Sequence, residues 1–430
     1  MTTPSDQAVT SHLIDPSAPL ERPEWVQRMN EEGRLWRDGG MLSEMVLMDE
    51  ASLLASARNM TGLDDFGDDD WHEPFQVLVR ALVEEAELNL VGRLVARSEI
   101  LCWLKNRLKL TDLVKRHPEI LEEQIVKPII ITGLGRSGTS ILQELLWQNP
   151  DFRTPLFWET YCMAESAESG GRDELARRVG CGLTEQMVRI TPEVQAMHET
   201  AGDIPAEDAT VWNYSFLSDH ILSYYQIPSY EAYFNRADPR ILFRHHKLAL
   251  QALQWRSPKK QWFGKTLYYL GHLPALFEVY PDARIIHTHR DPLKVSASLV
   301  KLLRTLYWQR SDKDFDAPGF DELLVPEQTA RRLERVIDQR DSGQIPGDQI
   351  VDSQFADLMA DPVASLRRIY DAFDMPFTED TAQGIRNYLA RKPRHKHGAN
   401  EYRQLSPEMI ERLRPVFRRY QERYGVPNEV

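Results

Sequence analysis

Between residues 133 and 140 the chain reads Gly-Leu-Gly-Arg-Ser-Gly-Thr-Ser, with three glycines, three hydroxyls and one arginine in eight positions. Glycines let backbone amides turn inward without a Cβ in the way, and hydroxyls and a guanidinium add donors, so the chemistry of this stretch is anion binding. The spacing follows the phosphate loop GxxxxGK[ST] in its two outer glycines and its last hydroxyl, but Thr139 stands where the lysine belongs. A loop with Arg136 and hydroxyls in place of that lysine suits a phosphosulfate, or another singly bridged anion, better than a Mg-bound triphosphate. A glycine turn in any α/β protein would read the same in isolation, so other stretches have to decide.

Two more groups have chemical potential. Arg290 closes the run ARIIHTHR, is followed by Asp291 and Pro292, and has Ser298 eight residues later. An arginine at a strand end and a serine two turns up the next helix can hold two faces of one phosphate. Lys265 sits at the end of WFGK, a short apolar run with strand character.

Positioning these groups takes a particular set of elements. Ile129, Ile130 and Ile131 form a β-branched run suited to a strand buried on both faces, and Ile141, Leu142, Leu145 and Leu146 recur at helical spacing after the glycines. The order is strand, glycine loop, helix. WFGKT, ARIIHTH and QIVDSQF supply further strands of a parallel sheet, whose carboxyl edge is where ligands of open α/β sheets bind. The fold expected is therefore α/β: a P-loop-like parallel sheet flanked by helices over residues 126–430, with a helical N-terminal region, 1–125, packed on it. Within that region Leu78, Leu82, Leu90, Leu94, Leu101, Leu104 and Leu108 predict an amphipathic helix, or a helix pair broken near Gly92. Such a face packs on the main domain or on a second subunit, which leaves room for a homo-oligomer.

Composition narrows the partners. The 430 residues are 42% hydrophobic and 27% charged, with no run approaching a membrane span, and the start MTTPSDQAVTSHL has neither the basic nor the apolar part of a signal peptide. A net charge of −13 disfavours general nucleic-acid binding, and three unpatterned cysteines, Cys102, Cys162 and Cys181, point to a reducing compartment, the cytoplasm. His287 and His289 alternate on one strand face, but the neighbouring sequence offers no evident set of Cys, Asp or Glu ligands to join them, so no metal is expected.

GLGRSGTS, WFGKTLYYLGHLPAL, RDP with Ser298, and RKPRHKHGANEY occur in the order found in sulfotransferases that use 3′-phosphoadenosine-5′-phosphosulfate, and residues 127–403 resemble that superfamily. Leu267 departs from the pattern, taking the place of a usual proline. The resemblance implies a donor held by Gly135, Arg136, Ser137, Gly138, Thr139 and Ser140, with Arg290 and Ser298 on its 3′-phosphate. It implies that a basic glycine loop, here with Lys396 and Gly398, closes the site, and that no metal takes part. It also implies a glutamate base soon after the loop, for which Glu159 in WET is the match, while Glu207, Asp208 and His198 are the other acid/base candidates. Lys265 and Arg136 would hold the charge that builds on the sulfuryl and leaving oxygens. The acceptor would be a hydroxyl of a small molecule, lipid or glycan, and the aromatic-rich stretch 205–234 is either its pocket or plain core. A P-loop small-molecule kinase and a non-catalytic nucleotide-binding protein are the alternatives, and the missing loop lysine counts against both.

Overall fold

Five strands, all parallel, run in the order β2-β3-β1-β4-β5: β1 (Ile129–Gly133), β2 (Phe152–Arg153), β3 (Gln261–Lys265), β4 (Arg284–His289) and β5 (Ile350–Gln354). The computed structural model describes residues 21–258, 260–315, 324–392 and 405–430. The expected strands are present, joined by a two-residue edge strand, β2, that pairs with Gln261 and Trp262.

Every residue of β1 is buried, and period-two alternation divides its isoleucines between two cores. Ile129 and Ile131, with Phe263 and Ile286, face Leu142, Leu145, Ile369 and Ile385. Ile130 and Ile285 face the other way, into a larger core that takes in Trp212, Tyr269 and the N-terminal residues Phe75, Leu82, Leu104 and Leu108. The N-terminal helices thus cover one face of the sheet, as parallel sheets require on both sides.

The helix break falls earlier than the leucine pattern suggested. One helix spans His72–Glu84 and the next Leu90–Arg116, so Gly92 lies in a first turn, where its N–H donates to the Asn89 side chain at 2.8 Å. Glycine is required at 92 for another reason: a Cβ there would collide with the backbone of Arg310, whose carbonyl accepts from Asn89 N–H at 3.0 Å. This contact pins the N-terminal region to the chain beyond β4.

The sheet order places the loop after β1 between the ends of β3 and β4. Lys265 and Arg290 therefore leave the carboxyl edge on either side of the glycine loop. Among the described residues, no helix is long and apolar enough to cross a membrane.

Gly264, next to Lys265, has a tight neighbour: a Cβ there would overlap the buried Asp208 carboxylate, which accepts from Tyr269 Oη at 2.5 Å. Gly264→Ala is therefore expected to destabilise the fold by about 3 kcal/mol, measured by denaturant unfolding; a variant within about 0.5 kcal/mol of wild type would show that Asp208 moves aside freely.

Candidate functional site

The glycine loop is shaped from inside. Ser137 N–H and Oγ both donate to Leu134 O, at 3.2 and 2.5 Å, and Ser137 Oγ lies 2.6 Å from Thr288 Oγ1 on β4. Thr288 Oγ1 in turn donates to Thr132 O at 3.2 Å. Ser137 is fully buried: its hydroxyl knits the loop to β4 and its amide closes a turn within the loop. Gly138, at φ +97°, sits in left-handed space as the cap of helix Thr139–Leu146, and a Cβ there would press on Phe355. Arg136 also has a left-handed backbone, φ +67°, and its Nη1 donates to Met197 O at 2.7 Å.

Lys265 carries the site's central charge. Its side chain is only 2% exposed, and its Nζ donates to Glu207 Oε1 at 2.5 Å, with Ser140 Oγ 3.4 Å away at the loop helix. His198 Nε2 lies 3.9 Å from the same Glu207 oxygen. Burial pushes the Glu207 carboxyl up, but Lys265 and His198 outweigh it and hold it at about 2. For His198, burial, with Lys265 adding to it, lowers the imidazole to about 4, so it is neutral at physiological pH. Asp208, one residue on, behaves oppositely: burial pushes it up to about 7, against the Tyr269 hydrogen bond.

Glu159 is elsewhere engaged. It accepts from Arg153 Nη2 at 3.0 Å, Ser166 Oγ at 2.7 Å and its own helix's Leu156 N–H at 3.0 Å, and its side chain is 5% exposed. These partners make it a capping and ion-pairing carboxylate of helix Phe157–Tyr161.

Arg290 reaches the loop, as its place at the strand end implied. Its Nη1 donates to Arg136 O at 3.0 Å and its guanidinium lies 3.8 Å over the Phe355 ring. Its other edge is paired with Glu429: Nε donates to Oε1 at 2.9 Å and Nη2 to Oε2 at 2.8 Å. The segment is held there by Glu429 N–H donating to Asp291 Oδ2 at 2.8 Å and by Arg414 on Asp291 at 2.6 Å. Ser298 is buried in helix Pro292–Trp308. An apolar pocket of about 560 Å³ of empty volume, part of it open to solvent, lies between the loop at Gly133 to Gly135, Leu267 and this helix at Leu293 and Leu299. Lys396 and Gly398 fall outside the described residues. The described start of that basic run, Lys392, docks on Glu144 at 2.6 Å and Glu199 at 3.1 Å, beside His198.

Sequence reasoning also missed a carboxylate near the strand histidines. Register places Asp352 of β5 opposite His287, and His289 Nε2 lies 2.9 Å from Asp352 Oδ1. The three side chains bring their ligand atoms within 4.8 Å of one another, but Asp352 already accepts from Arg340 at 2.7 and 3.0 Å. The signal for Glu207 was weaker still, an acidic pair ahead of an aromatic run; only the fold brings it to Lys265.

Residues 128–379, more than half of the chain, match the sulfotransferase family. An omega-hydroxy-beta-dihydromenaquinone-9 sulfotransferase, Stf3, of Mycobacterium tuberculosis is 27% identical over 300 residues, covering 65% of this chain and 70% of the relative. Its Mycobacterium bovis counterpart matches to the same extent. Sulfotransferase STF9 from Mycobacterium avium superposes with a TM-score of 0.74 over 89% of this chain and 98% of its own, at 24% identity, which speaks for the fold. Sulfotransferase STF1 from Mycobacterium tuberculosis H37Rv gives 0.69 over 86% and 98%, at 26% identity. With its glycine loop, its strand-end lysine and its arginine gathered on one sheet edge, the chain belongs to the sulfotransferase family.

Proposed function

We propose that the protein transfers the sulfuryl group of 3′-phosphoadenosine-5′-phosphosulfate to an alcohol hydroxyl of a small-molecule or lipid acceptor, with Glu207 as the base. The observation that carries this reading is the 2.5 Å contact between Lys265 Nζ and Glu207 Oε1 at the mouth of the loop. A buried cation, a carboxylate and an anion cradle converge there. Glu159 supports the assignment by exclusion, since its oxygens are committed to Arg153, Ser166 and Leu156.

In this scheme the acceptor oxygen attacks sulfur and its proton passes to Glu207. The bond from sulfur to the bridging oxygen breaks, and its electron pair leaves on the 5′-phosphate of adenosine 3′,5′-bisphosphate. Lys265 and the loop amides meet the charge that builds on the sulfuryl and bridging oxygens. The donor thereby competes with Glu207 for Lys265. Each contact that Lys265 makes to the donor loosens its hold on Glu207, and burial then raises that carboxyl toward a more useful base. Arg136, Gly135, Gly138, Thr139 and Ser140 shape and line the cradle, and Arg290 with Ser298 takes the 3′-phosphate. Lys396 and Gly398 are assigned to closing the nucleotide site. No step requires a metal: the sulfuryl group carries less charge than a phosphoryl group, which fixed cations can meet. The free cysteines support a cytoplasmic setting.

Two measurements test this. Adenosine 3′,5′-bisphosphate without magnesium is expected to raise the melting temperature more than ATP with magnesium; the reverse order would favour a kinase. Glu207→Gln is expected to lower kcat by about 100-fold or more while leaving the bisphosphate shift in place. Glu159→Gln should instead leave most of kcat and reduce stability by about 2 kcal/mol, because Arg153 loses its charged partner in a buried site. If Glu159→Gln removes turnover and Glu207→Gln does not, the base is Glu159. His198→Asn separates the remaining candidate, whose neutral imidazole stands beside Glu207.

A further inference from the structure

A cavity lies beside this site, and part of its wall comes from the N-terminal region. It encloses about 890 Å³ of empty volume, part of it open to solvent. Val95, Ser98, Glu99, Cys102 and Trp103 line it at spacings of three, four, seven and eight, so one face of helix Leu90–Arg116 forms a wall. Phe157, Leu183, Met187 and Ile190 make the facing side apolar. Thr200, Thr210 and His220 also line it. Thr210 Oγ1 donates to the Glu207 carbonyl at 2.6 Å, so this part of the lining adjoins the residue that meets Lys265.

The polar groups of the wall are not evenly divided between donors and acceptors. Its threonine hydroxyls donate to backbone: Thr184 to Gly180 O at 2.9 Å, Thr200 to His198 O at 3.1 Å, and Thr210 as described. Arg310, 1% exposed, is fully engaged, with Nη2 donating to Glu99 Oε1 at 2.6 Å, Nε to Tyr225 Oη at 3.1 Å and Nη1 to Gln309 Oε1 at 2.5 Å. Gln309 Nε2 donates to Met187 O. Around Arg310, what remains is acceptor capacity. Both Glu99 oxygens are engaged, Oε1 by Arg310 and Oε2 by the Tyr225 hydroxyl at 2.7 Å, but each carboxylate oxygen can accept a second bond and the side chain is 24% exposed; the buried Asn213 Oδ1 has no hydrogen-bond partner. Ser98 and Tyr161 hydroxyls can act either way. An anionic substrate would find the wall's one arginine already neutralised and a carboxylate beside it, which disfavours a second negative charge in a low-dielectric cavity.

We infer that this cavity receives the acceptor, and that the acceptor is an uncharged, largely apolar alcohol carrying a second hydrogen-bond donor that meets Glu99 and Asn213. This rests on the reading of Glu207 and Lys265 as the reacting end. The N-terminal region then forms part of the specificity pocket.

The probes are 1-alkanols, α,ω-alkanediols and ω-hydroxyalkanoates of about six to twelve carbons, which share a primary hydroxyl and differ at the far end. At the best length the diol should exceed the alkanol in kcat/KM by about fivefold or more, beyond the factor of about two from its second hydroxyl, and the hydroxyalkanoate should fall below the alkanol. Replacing the pair, Glu99→Gln with Arg310→Met, should bring the diol-to-alkanol ratio down toward about two. Ser98→Trp, which fills the cavity, should raise KM for every alcohol by about tenfold or more. Alkanol and diol equal at every length, a preferred hydroxyalkanoate, or an unchanged KM in Ser98→Trp would each overturn the inference. If no probe turns over, melting shifts of the bisphosphate-loaded enzyme are read instead, and no shift by any diol also overturns it. Failure of the acceptor arms alongside a normal bisphosphate shift counts against the cavity assignment alone. Absence of that shift in the wild type counts against the donor reading.

Discussion

A lysine ammonium at the end of a buried strand is the constraint that the site is built around. Removed from water, Lys265 is unfavourable without a negative partner, and the structure provides one by threading the 205–208 segment past β3. Gly264 leaves the room that this passage needs. Adjacent carboxylates then fall into opposite states, Glu207 held low by the cation and Asp208 pushed up by burial against Tyr269. A donor anion would satisfy the same lysine, which makes the resting ion pair and the loaded site two solutions of one electrostatic requirement.

Much of this frame was legible in the sequence, for local reasons. A β-branched run followed by glycines and a helical repeat, as at β1, reads as strand, loop and helix because both periodicities come from neighbouring residues, and the short runs of β3, β4 and β5 were likewise legible from their own residues. The short β2 did not, since its strand character comes from pairing with Gln261 and Trp262 and not from its own two residues. Carboxylate roles were the least legible. Glu159 lies near the loop in sequence, but its local partner Arg153 claims it, while Glu207 meets Lys265 across 58 residues. Ser137 matched the loop pattern, yet its hydroxyl turns toward Thr288, 151 residues away. Asp352 stands opposite His287 only through the β4 and β5 register. A motif specifies which groups are near an anion; the long-range pairings decide which of them face it.

The N-terminal helices show the same division. Their leucine spacing reads as packing surface, and Phe75, Leu82, Leu104 and Leu108 do pack against the sheet's core. The cavity-facing side of the long helix cannot be told from a solvated face by pattern alone, because Ser98 and Glu99 are as polar as any exposed pair. Its meaning comes from Arg310, 211 residues beyond Glu99, and from the close approach of Gly92 to that same residue. Backbone contact and ion pair together fix the helix against the β4 side of the molecule, so the wall has a defined position.

The pairing of Arg290 with Glu429 bears on ionic strength. A guanidinium that already holds a carboxylate does not present a bare positive charge, and a phosphate taken up there, as proposed, would exchange one anion for another. Added salt screens the internal pair and the incoming one alike. At this arginine the two effects offset each other, so the salt dependence of donor binding should arise mainly from the remaining cations of the cradle.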